Sequence, residues 1–140
     1  MRLLGIDLGT KRVGVAITDE LGFGAYPVAT FLRGRARADD LATILRHAEQ
    51  QQAEAIVMGL PLHADGTKGE WAQRVETFTK ALSEATRLPV ILHNEYLSSQ
   101  EANEDLIAAG VKAKRRQQVI DQAAAVRILE SYLRAQKGLG

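Results

Sequence analysis

One stretch near the start of the chain reads Gly5-Ile6-Asp7-Leu8-Gly9-Thr10-Lys11-Arg12-Val13-Gly14-Val15-Ala16-Ile17. It places one acid, Asp7, in an apolar strand and follows it at once with glycine, a hydroxyl and two cations. A carboxylate in an apolar strand is costly to bury unless it is paired or binds a metal. A cap on the following turn would account for Asp7 alone, but not for Lys11 and Arg12 beside it. The stretch therefore predicts a site that holds a cation and a phosphate together.

The strands around Asp7 are predicted to form an antiparallel meander. Residues 3–8 read as a buried strand, and apolar residues alternate with small ones along a second strand over residues 13–18. A glycine-containing turn then leads into a weaker third strand over residues 26–31. Pro27 favours an edge position for this third strand, because proline has no N–H to donate to a neighbour.

The rest of the chain alternates helices with continuous apolar strands, which indicates parallel strands joined by crossovers. Asp39 or Asp40 is available to cap the first helix. The predicted elements are a helix around Leu41–Ala48, a strand over Ala55–Met58 that Gly59-Leu60-Pro61 ends, a helix over Trp71–Leu82, a strand over Val90–Leu92, a short helix from Ser98 to Gly110, and a last helix from about Gln117 to Ala135.

These elements predict an α/β fold with a mixed five-stranded sheet flanked by helices. Three strands belong to the antiparallel meander and two are parallel crossover strands. At 140 residues the chain is long enough for one domain and too short for two full-sized lobes. We therefore expect a single domain over residues 1–140, with residues 137–140 as a frayed tail.

Composition and charge restrict the classes of function. The chain has 18 Lys+Arg against 17 Asp+Glu, so its overall charge does not indicate a polyanionic partner and local charge has to do so. The absence of cysteine excludes disulfides, thiolate zinc sites and thiol nucleophiles. No segment reads as a signal peptide or a membrane span, so we expect a cytoplasmic protein with no membrane partner.

Three acids are the candidate catalytic and metal-binding residues: Asp7, Glu95 just past the last strand, and Asp121 near the start of the last helix. Carboxylates that converge repel one another unless a cation neutralises them. Oxygen ligands favour Mg²⁺ or Mn²⁺, and one or two such ions would activate water and stabilise the leaving oxygen in phosphodiester cleavage. The plainer alternatives are a solvated loop charge for Glu95 and a partner of the helix dipole for Asp121.

Basic residues supply the candidate contacts to nucleic acid. Charge runs are often solvated loops, but one run here leads directly into Asp121 in an otherwise near-neutral chain, which favours contact with a phosphate backbone. Such contacts hold nucleic acid with little sequence preference. The candidate phosphate-binding residues are Lys11, Arg12, Lys112, Lys114, Arg115 and Arg116.

Several other residues are assigned plainer roles. A second basic stretch, Arg33, Arg35 and Arg37, is equally well explained as a solvated turn. His63 and His93 lie near the expected cleft, but a single histidine is more often structural than catalytic. Two aromatic residues, Trp71 and Phe78, belong to one apolar stripe of a predicted helix and are expected in the core.

With these segments in place, the chain resembles the YqgF family, also called RuvX-like, over nearly its full length. The resemblance rests on Gly5–Ala16, on Gly59-Leu60-Pro61-Leu62 with Asp65-Gly66-Thr67, and on Val119–Ala125 followed by Ile128-Leu129. Members are small bacterial proteins with a ribonuclease H-like fold, regarded as Holliday junction resolvases and as nucleases that mature the 5′ end of small-subunit ribosomal RNA. The resemblance implies a carboxylate–metal site at Asp7, Glu95 and Asp121, with Lys11 and Arg12 near the substrate phosphate.

One segment departs from the family pattern. Where the family typically reads Asp-Glu-Arg-Leu, this chain has Asn94-Glu95-Tyr96-Leu97. Glu95 is retained, so the three acids are complete. Asn94 is a neutral amide in place of an acid, and Tyr96 replaces a cation with a ring on which a base could stack.

The sequence as a whole predicts a Mg²⁺- or Mn²⁺-dependent nuclease that acts on structured RNA or branched DNA. One alternative is a non-catalytic nucleic-acid-binding protein that keeps the nuclease fold. Another is an ATP-binding phosphotransferase. Sugar kinases and actin-type ATPases also begin with a strand that carries an Asp, followed by glycine and a second strand. Such enzymes enclose the nucleotide between two lobes, for which this chain has no room. A homodimer is left open.

Overall fold

The described part of the chain contains five strands and three helices. The computed structural model describes residues 1–96, 110 and 112–138, without the side chains of Tyr96 and residues 113–122. The predicted short helix after Ser98 lies outside the described residues. The elements, in chain order, are β1 (Leu3–Leu8), β2 (Arg12–Thr18), β3 (Ala25–Leu32), α1 (Arg37–Gln50), β4 (Ala55–Leu62), α2 (Glu70–Thr86), β5 (Val90–Tyr96) and α3 (Ala113–Gln136).

The strands form one mixed sheet in the order β3-β2-β1-β4-β5. β1, β2 and β3 pair antiparallel, whereas β4 is parallel to both β1 and β5. This confirms the predicted meander with two parallel crossover strands. It also confirms that β3, which contains Pro27, lies at an edge of the sheet.

Each face of the sheet is covered by helices. Alternating side chains of β1, β2 and β4 pack with α1 and α2 on one face, in a core that includes Ile6, Met58 and Phe78. On the other face a smaller core joins Leu3 and Val57 to α3. Trp71 lies at the margin of the larger core and is partly exposed, so the prediction that it is a core residue was only partly right.

Two strands continue further than the sequence predicts. β4 does not end at Gly59 but continues to Leu62, and β5 continues to Tyr96. Pro61 is tolerated because the pairing of β4 with β1 has ended at Met58, so no strand on that side needs its N–H. Glu95 therefore lies within β5, paired with Pro61, and not in the loop beyond the strand.

The helix starts also differ from prediction. α1 begins at Arg37 with Ala36 as its N-cap, and neither Asp39 nor Asp40 is the capping residue. Asp39 instead accepts a hydrogen bond from the Ala36 N–H at 3.1 Å, which satisfies one free backbone donor from the third helical position. α3 begins at Ala113, four residues before the predicted start at Gln117.

No helix in the described part of the chain has the length and apolar character needed to cross a membrane.

Candidate metal and nucleic-acid site

Asp7 lies near the carboxyl end of β1, on the face of the sheet that α3 covers. It pairs with Gly14 of β2, and its neighbours Ile6 and Leu8 point into the core on the opposite face. Strand side chains alternate between faces, so Asp7 shares the α3 face with Gly5. Asp7 is half-buried between two buried apolar residues, within an apolar strand as the sequence predicts.

The turn after Asp7 is held tightly by its backbone. The Gly9 N–H donates to the Arg12 carbonyl at 2.9 Å, and a side chain on Gly9 would come within 2.7 Å of that oxygen. Lys11 is exposed in the turn, whereas Arg12 is half-buried as the first residue of β2. Because residues two apart share a face, Arg12 lies on the same face as Gly14 and therefore as Asp7.

Gly59 separates the strand of Asp7 from the strand of Glu95. The parallel pairing of β1 with β4 ends at Ile6 and Met58, so Gly59 is the next residue of β4 beside Asp7. On its other side Gly59 pairs with His93. A Cβ atom on Gly59 would lie 3.7 Å from Cγ of Glu95 and 2.5 Å from Cδ1 of Ile128. The Glu95 side chain therefore lies over Gly59, on the side of β5 that faces β4 and β1.

Glu95 is a largely buried carboxylate with an unsatisfied oxygen. Its Oε1 atom is buried and has no hydrogen-bond partner among the described residues. Burial raises the pKa of Glu95, while the Ser131 hydroxyl and the charges of Arg134 and Arg127 act in the opposite direction. The environment thus disfavours the ionised form, although cations on α3 partly compensate for it.

A histidine and a serine lie beside Glu95. His93 Nε2 is 2.8 Å from the Ser131 hydroxyl and 3.7 Å from Glu95 Oε1, and its ring meets Tyr132 edge-on. Burial lowers the pKa of His93, which favours a neutral ring at neutral pH. Ser131 is not distinguished by any local sequence motif. Its helical spacing could have indicated it, because Ser131 lies one turn after Arg127 and one turn before Arg134. These three polar residues therefore share one side of α3.

Asp121 lies in α3, but its side chain is outside the described residues. The helix approaches β1 closely, since a Cβ on Gly5 would be 2.5 Å from Leu129 Cγ and 3.0 Å from the Ala125 carbonyl oxygen. Leu3 lines a cavity with Leu133, so α3 runs antiparallel to β1. Asp121 is about 6 Å of helix beyond Ala125, and Asp7 is about 7 Å of strand beyond Gly5. The backbone therefore brings positions 7 and 121 to a similar level.

The second group of candidate basic residues surrounds the start of α3. Lys112 is exposed and is the N-cap of the helix. Lys114, Arg115 and Arg116 fall in the first helical turn, because the helix begins before its predicted start at Gln117. Their side chains are outside the described residues. That turn contains no acid. Cations are unfavourable at the positive end of a helix dipole unless an anion binds there.

Among the side chains that the structure describes, no three histidines or acids are grouped so as to hold a metal ion. Asp7 and Glu95 lie on one face with Gly59 between them, and Asp121 is the candidate third ligand. Asn94 is exposed and, by strand alternation, lies on the opposite face from Glu95. The change from acid to amide at this position therefore falls away from the candidate site. The Tyr96 side chain lies outside the described residues.

Comparison with known proteins gives consistent similarities at the level of sequence and of fold. The chain is 47% identical over 133 residues to a protein of Nitratidesulfovibrio vulgaris named "Putative pre-16S rRNA nuclease", covering 95% of this chain and 93% of the relative. It is 43% identical to a Geobacillus protein of the same name, with 95% and 97% covered.

Among solved structures, Thermus thermophilus RuvC in complex with a Holliday junction substrate aligns with a TM-score of 0.59 at 18% identity, covering 99% and 97% of the two chains. This similarity confirms the predicted ribonuclease H-like fold. Residues 1–135 match the family model described as RuvX, Holliday junction resolvase. Given this match and the close relatives, the chain belongs to the RuvX family, which is the family that its motifs resemble.

Proposed function

We propose that this protein is a divalent-metal-dependent nuclease that hydrolyses phosphodiester bonds in structured nucleic acid. The proposal rests on the buried Oε1 atom of Glu95, which has no hydrogen-bond partner among the described residues, on a side chain that lies over Gly59 beside the strand of Asp7. An unsatisfied buried carboxylate oxygen is costly unless a cation coordinates it.

The residues present fit a hard divalent ion. Asp7 and Glu95 offer carboxylate oxygens on one face of the sheet, and position 121 offers a third from α3. All-oxygen donor sets suit Mg²⁺ and Mn²⁺, and the chain has no cysteine that would favour a softer metal. The neutral His93 ring adds no competing charge beside Glu95. Mg²⁺ or Mn²⁺, as one or two ions, is therefore the proposed cofactor, held by Asp7, Glu95 and Asp121.

The chemistry assigned to the protein's own residues is positioning and charge compensation. A bound divalent ion supplies an acidified water and stabilises charge on the phosphate and leaving oxygens. Asp7 and Glu95 fix the place of reaction from two strands of a rigid sheet. Arg12, on the face of Asp7, and the exposed Lys11 are placed to hold the substrate phosphate. The start of α3, with Lys112 and the basic first turn, is suited to a backbone phosphate further along the strand.

The proposed substrates follow from the names of the relatives and of the family. Relatives at 43% and 47% identity carry the name of a pre-16S ribosomal RNA nuclease, and the matching family is described as a Holliday junction resolvase. We therefore expect action on the 5′ end of precursor 16S ribosomal RNA, on branched DNA, or on both. Such substrates would place the protein in the cytoplasm. The homodimer stays an open prediction.

The direct test is a cleavage assay with a labelled precursor 16S RNA fragment and a four-way DNA junction. Each substrate is incubated with Mg²⁺, with Mn²⁺ or with EDTA, and with wild type, Asp7→Asn or the control Asp39→Asn. Asp39 is exposed on α1, and asparagine can still accept its hydrogen bond. We expect metal-dependent cleavage by wild type and the control, and a loss of at least about 100-fold in Asp7→Asn.

Two outcomes would overturn the proposal. Cleavage by Asp7→Asn at the wild-type rate would remove Asp7 from the mechanism. Metal-independent binding of both substrates without cleavage would identify a non-catalytic nucleic-acid-binding protein with the nuclease fold.

A further inference from the structure

A groove of about 520 Å³ lies on the sheet face opposite to α3, at the same end of the sheet as Asp7. Its lining combines aromatic rings with guanidinium groups, and none of these residues belongs to the candidate metal site. The residues that matter are Leu8, Arg33, Arg37, Trp71, Arg74 and Phe78.

The aromatic part of the groove is held rigidly. The indole N–H of Trp71 donates to the Leu8 carbonyl at 3.2 Å, which fixes the ring against the end of β1. The ring is only partly buried, so part of it remains open to the groove. Phe78 is almost fully buried below, and the Arg33 guanidinium lies 5.8 Å from its ring centroid. The groove therefore presents a fixed, flat, partly exposed indole.

Arg33 connects this groove to the turn that follows Asp7. Its Nε donates to the buried Asp40 carboxylate at 2.9 Å, and its Nη1 donates to the Gly9 carbonyl at 3.3 Å. The Arg33 N–H also donates to the Lys11 carbonyl at 2.9 Å. Arg33 is thus an anchored residue, so the alternative of a solvated turn does not hold for this member of the second basic stretch. The groove therefore adjoins the turn that follows Asp7.

The other two guanidinium groups of the lining belong to Arg37 and Arg74 and are exposed. Arg37, the first residue of α1, is exposed. Arg74 is also exposed and pairs with the exposed Glu70 at 3.0 Å, which is a weak surface contact that a phosphate could replace. With Arg33 neutralised by Asp40, the groove still has one more cation than anion. This combination suits an anionic ligand with a flat ring.

We propose that the groove binds the substrate strand on the far side of the β1–β2 turn, with a base stacked on Trp71 and backbone phosphates at Arg37 and Arg74. This inference rests on the proposed nuclease function and adds a second subsite to it. Base–aromatic stacking tolerates any base, and contacts to phosphates carry no sequence information. The subsite therefore adds affinity and orientation without sequence preference.

The chain offers a local reporter, because Trp71 is its single tryptophan. Tryptophan emission is titrated with a 12-nucleotide single-stranded RNA, a DNA of equal length, AMP and inorganic phosphate, all in EDTA to prevent cleavage. The variants are wild type, Arg37→Ala, Arg74→Ala and the control Arg46→Ala, an exposed arginine on α1 outside the groove. The affinity for labelled RNA is measured in parallel by anisotropy as a function of salt.

We expect both oligonucleotides to quench Trp71 saturably, with phosphate giving no response and AMP binding far more weakly. Arg37→Ala and Arg74→Ala should each weaken binding about three- to tenfold and lower the slope of log Kd against log salt by about 0.7. Arg46→Ala should match wild type in both measurements. A structural role for Arg37 or Arg74 would not produce this change in slope.

The subsite is overturned if RNA binds by anisotropy while Trp71 emission stays unchanged, or if Arg37→Ala and Arg46→Ala give the same slope. It is also overturned if AMP binds as tightly as the oligonucleotides, which would indicate a small-nucleotide site. Cleavage with no Trp71 response would contradict the subsite and leave the nuclease proposal intact. Trp71 quenching with full Arg37 dependence but no cleavage would contradict the nuclease proposal alone.

Discussion

Glu95 is a carboxylate that water reaches only in part, and its Oε1 atom has no hydrogen-bond partner among the described residues. Burial raises its pKa above the reference value of 4.5, so ionisation of Glu95 costs more free energy in the folded state than in the unfolded state. The resulting destabilisation is complete above the raised pKa, and it is lost as the pH falls through that pKa towards 4.5. In the metal-free protein, the ionised Glu95 side chain therefore lowers the free energy of unfolding.

Removal of the Glu95 charge should change the stability of the metal-free protein. Glu95→Gln should stabilise the metal-free protein by about 1 kcal/mol at pH 7, because the neutral amide is less costly to bury. The gain should shrink as the pH is lowered towards 4.5. Chemical denaturation in EDTA at several pH values measures it, with Glu54→Gln as an exposed control. A variant that is less stable than wild type at pH 7 would contradict this account of Glu95.

When metal is present, Glu95→Gln should gain less stability than wild type. A ligand that binds only the folded state stabilises it in proportion to the logarithm of its concentration over Kd, by about 2.7 kcal/mol at 100 times Kd. Mn²⁺ or Mg²⁺ should therefore raise the unfolding temperature of wild type and shift that of Glu95→Gln much less. Equal shifts in the two proteins would place the ion away from Glu95.

At this scale the sequence singles out the acids as candidates but does not predict their surroundings. Asp7 is a candidate because an acid in an apolar strand is costly to bury. Glu95 is a candidate as well, although the sequence does not predict its place inside β5. The contact between His93 and Ser131 joins residues 38 apart, and only the packing of α3 against β5 brings them together. Local patterns carry no information about such a contact.

The start of α1 is fixed to the end of β3 by a buried ion pair. Asp40, with 2% of its side chain exposed, accepts hydrogen bonds from Arg33 Nε at 2.9 Å and from the Gly34 N–H at 2.8 Å. Asp40→Ala leaves both donors without a partner and should destabilise the fold by about 3 kcal/mol. The neighbouring Asp39→Ala removes only the exposed contact to Ala36 and should cost about 1 kcal/mol or less. Denaturant unfolding of both variants checks this, and equal losses would contradict the assigned roles.

The close approach of α3 to the sheet depends on two glycines. A methyl group at Gly5 meets Leu129 Cγ and the Ala125 carbonyl, whereas one at Gly59 meets mainly the tip of Ile128. Backbone cannot move aside as easily as the end of a side chain. Gly5→Ala should therefore lose about 1–3 kcal/mol of stability, and Gly59→Ala should lose less.

The double variant Gly59→Ala/Ile128→Val separates stability from activity. Removal of Cδ1 from Ile128 makes room for the new methyl group, so stability should return towards wild type. Cleavage by both Gly59→Ala and the double variant should be slower than by wild type, since the methyl group would lie 3.7 Å from Glu95 Cγ in the space between the two strands. Full recovery of both properties would show that this space has no functional role.

The order of the elements is predictable because their buried faces require apolar residues at helix or strand spacing. The ends of the elements are less predictable. β4 continues through Gly59 and Pro61, two residues that usually end strands, because its pairing with β5 persists after its pairing with β1 has ended. α3 begins among cations that the helix dipole disfavours, so the sequence places its start too late. In β4 the tertiary pairing overrides the local preference.

For the whole molecule, a net charge of +1 means that affinity for nucleic acid has to come from local clusters. Arg115→Ala/Arg116→Ala should weaken RNA binding and lower the slope of log Kd against log salt by about 1.4 for single strands. Lys80→Ala/Arg46→Ala, which removes two exposed charges from other helices, is the matched control. Equal slopes in the two double variants would remove the start of α3 from the interface.

We propose that Asp7, Glu95 and Asp121 hold the metal ion at which the bond is cut. The sharpest check is a crystal structure of the protein soaked in Mn²⁺, with the ions located by their anomalous scattering. One or two ions should be coordinated directly by oxygens of Asp7 and Glu95, with Asp121 as a further ligand. The proposed site is wrong if Mn²⁺ binds elsewhere, or if the Asp7 and Glu95 carboxylates are too far apart to share an ion or an adjacent pair.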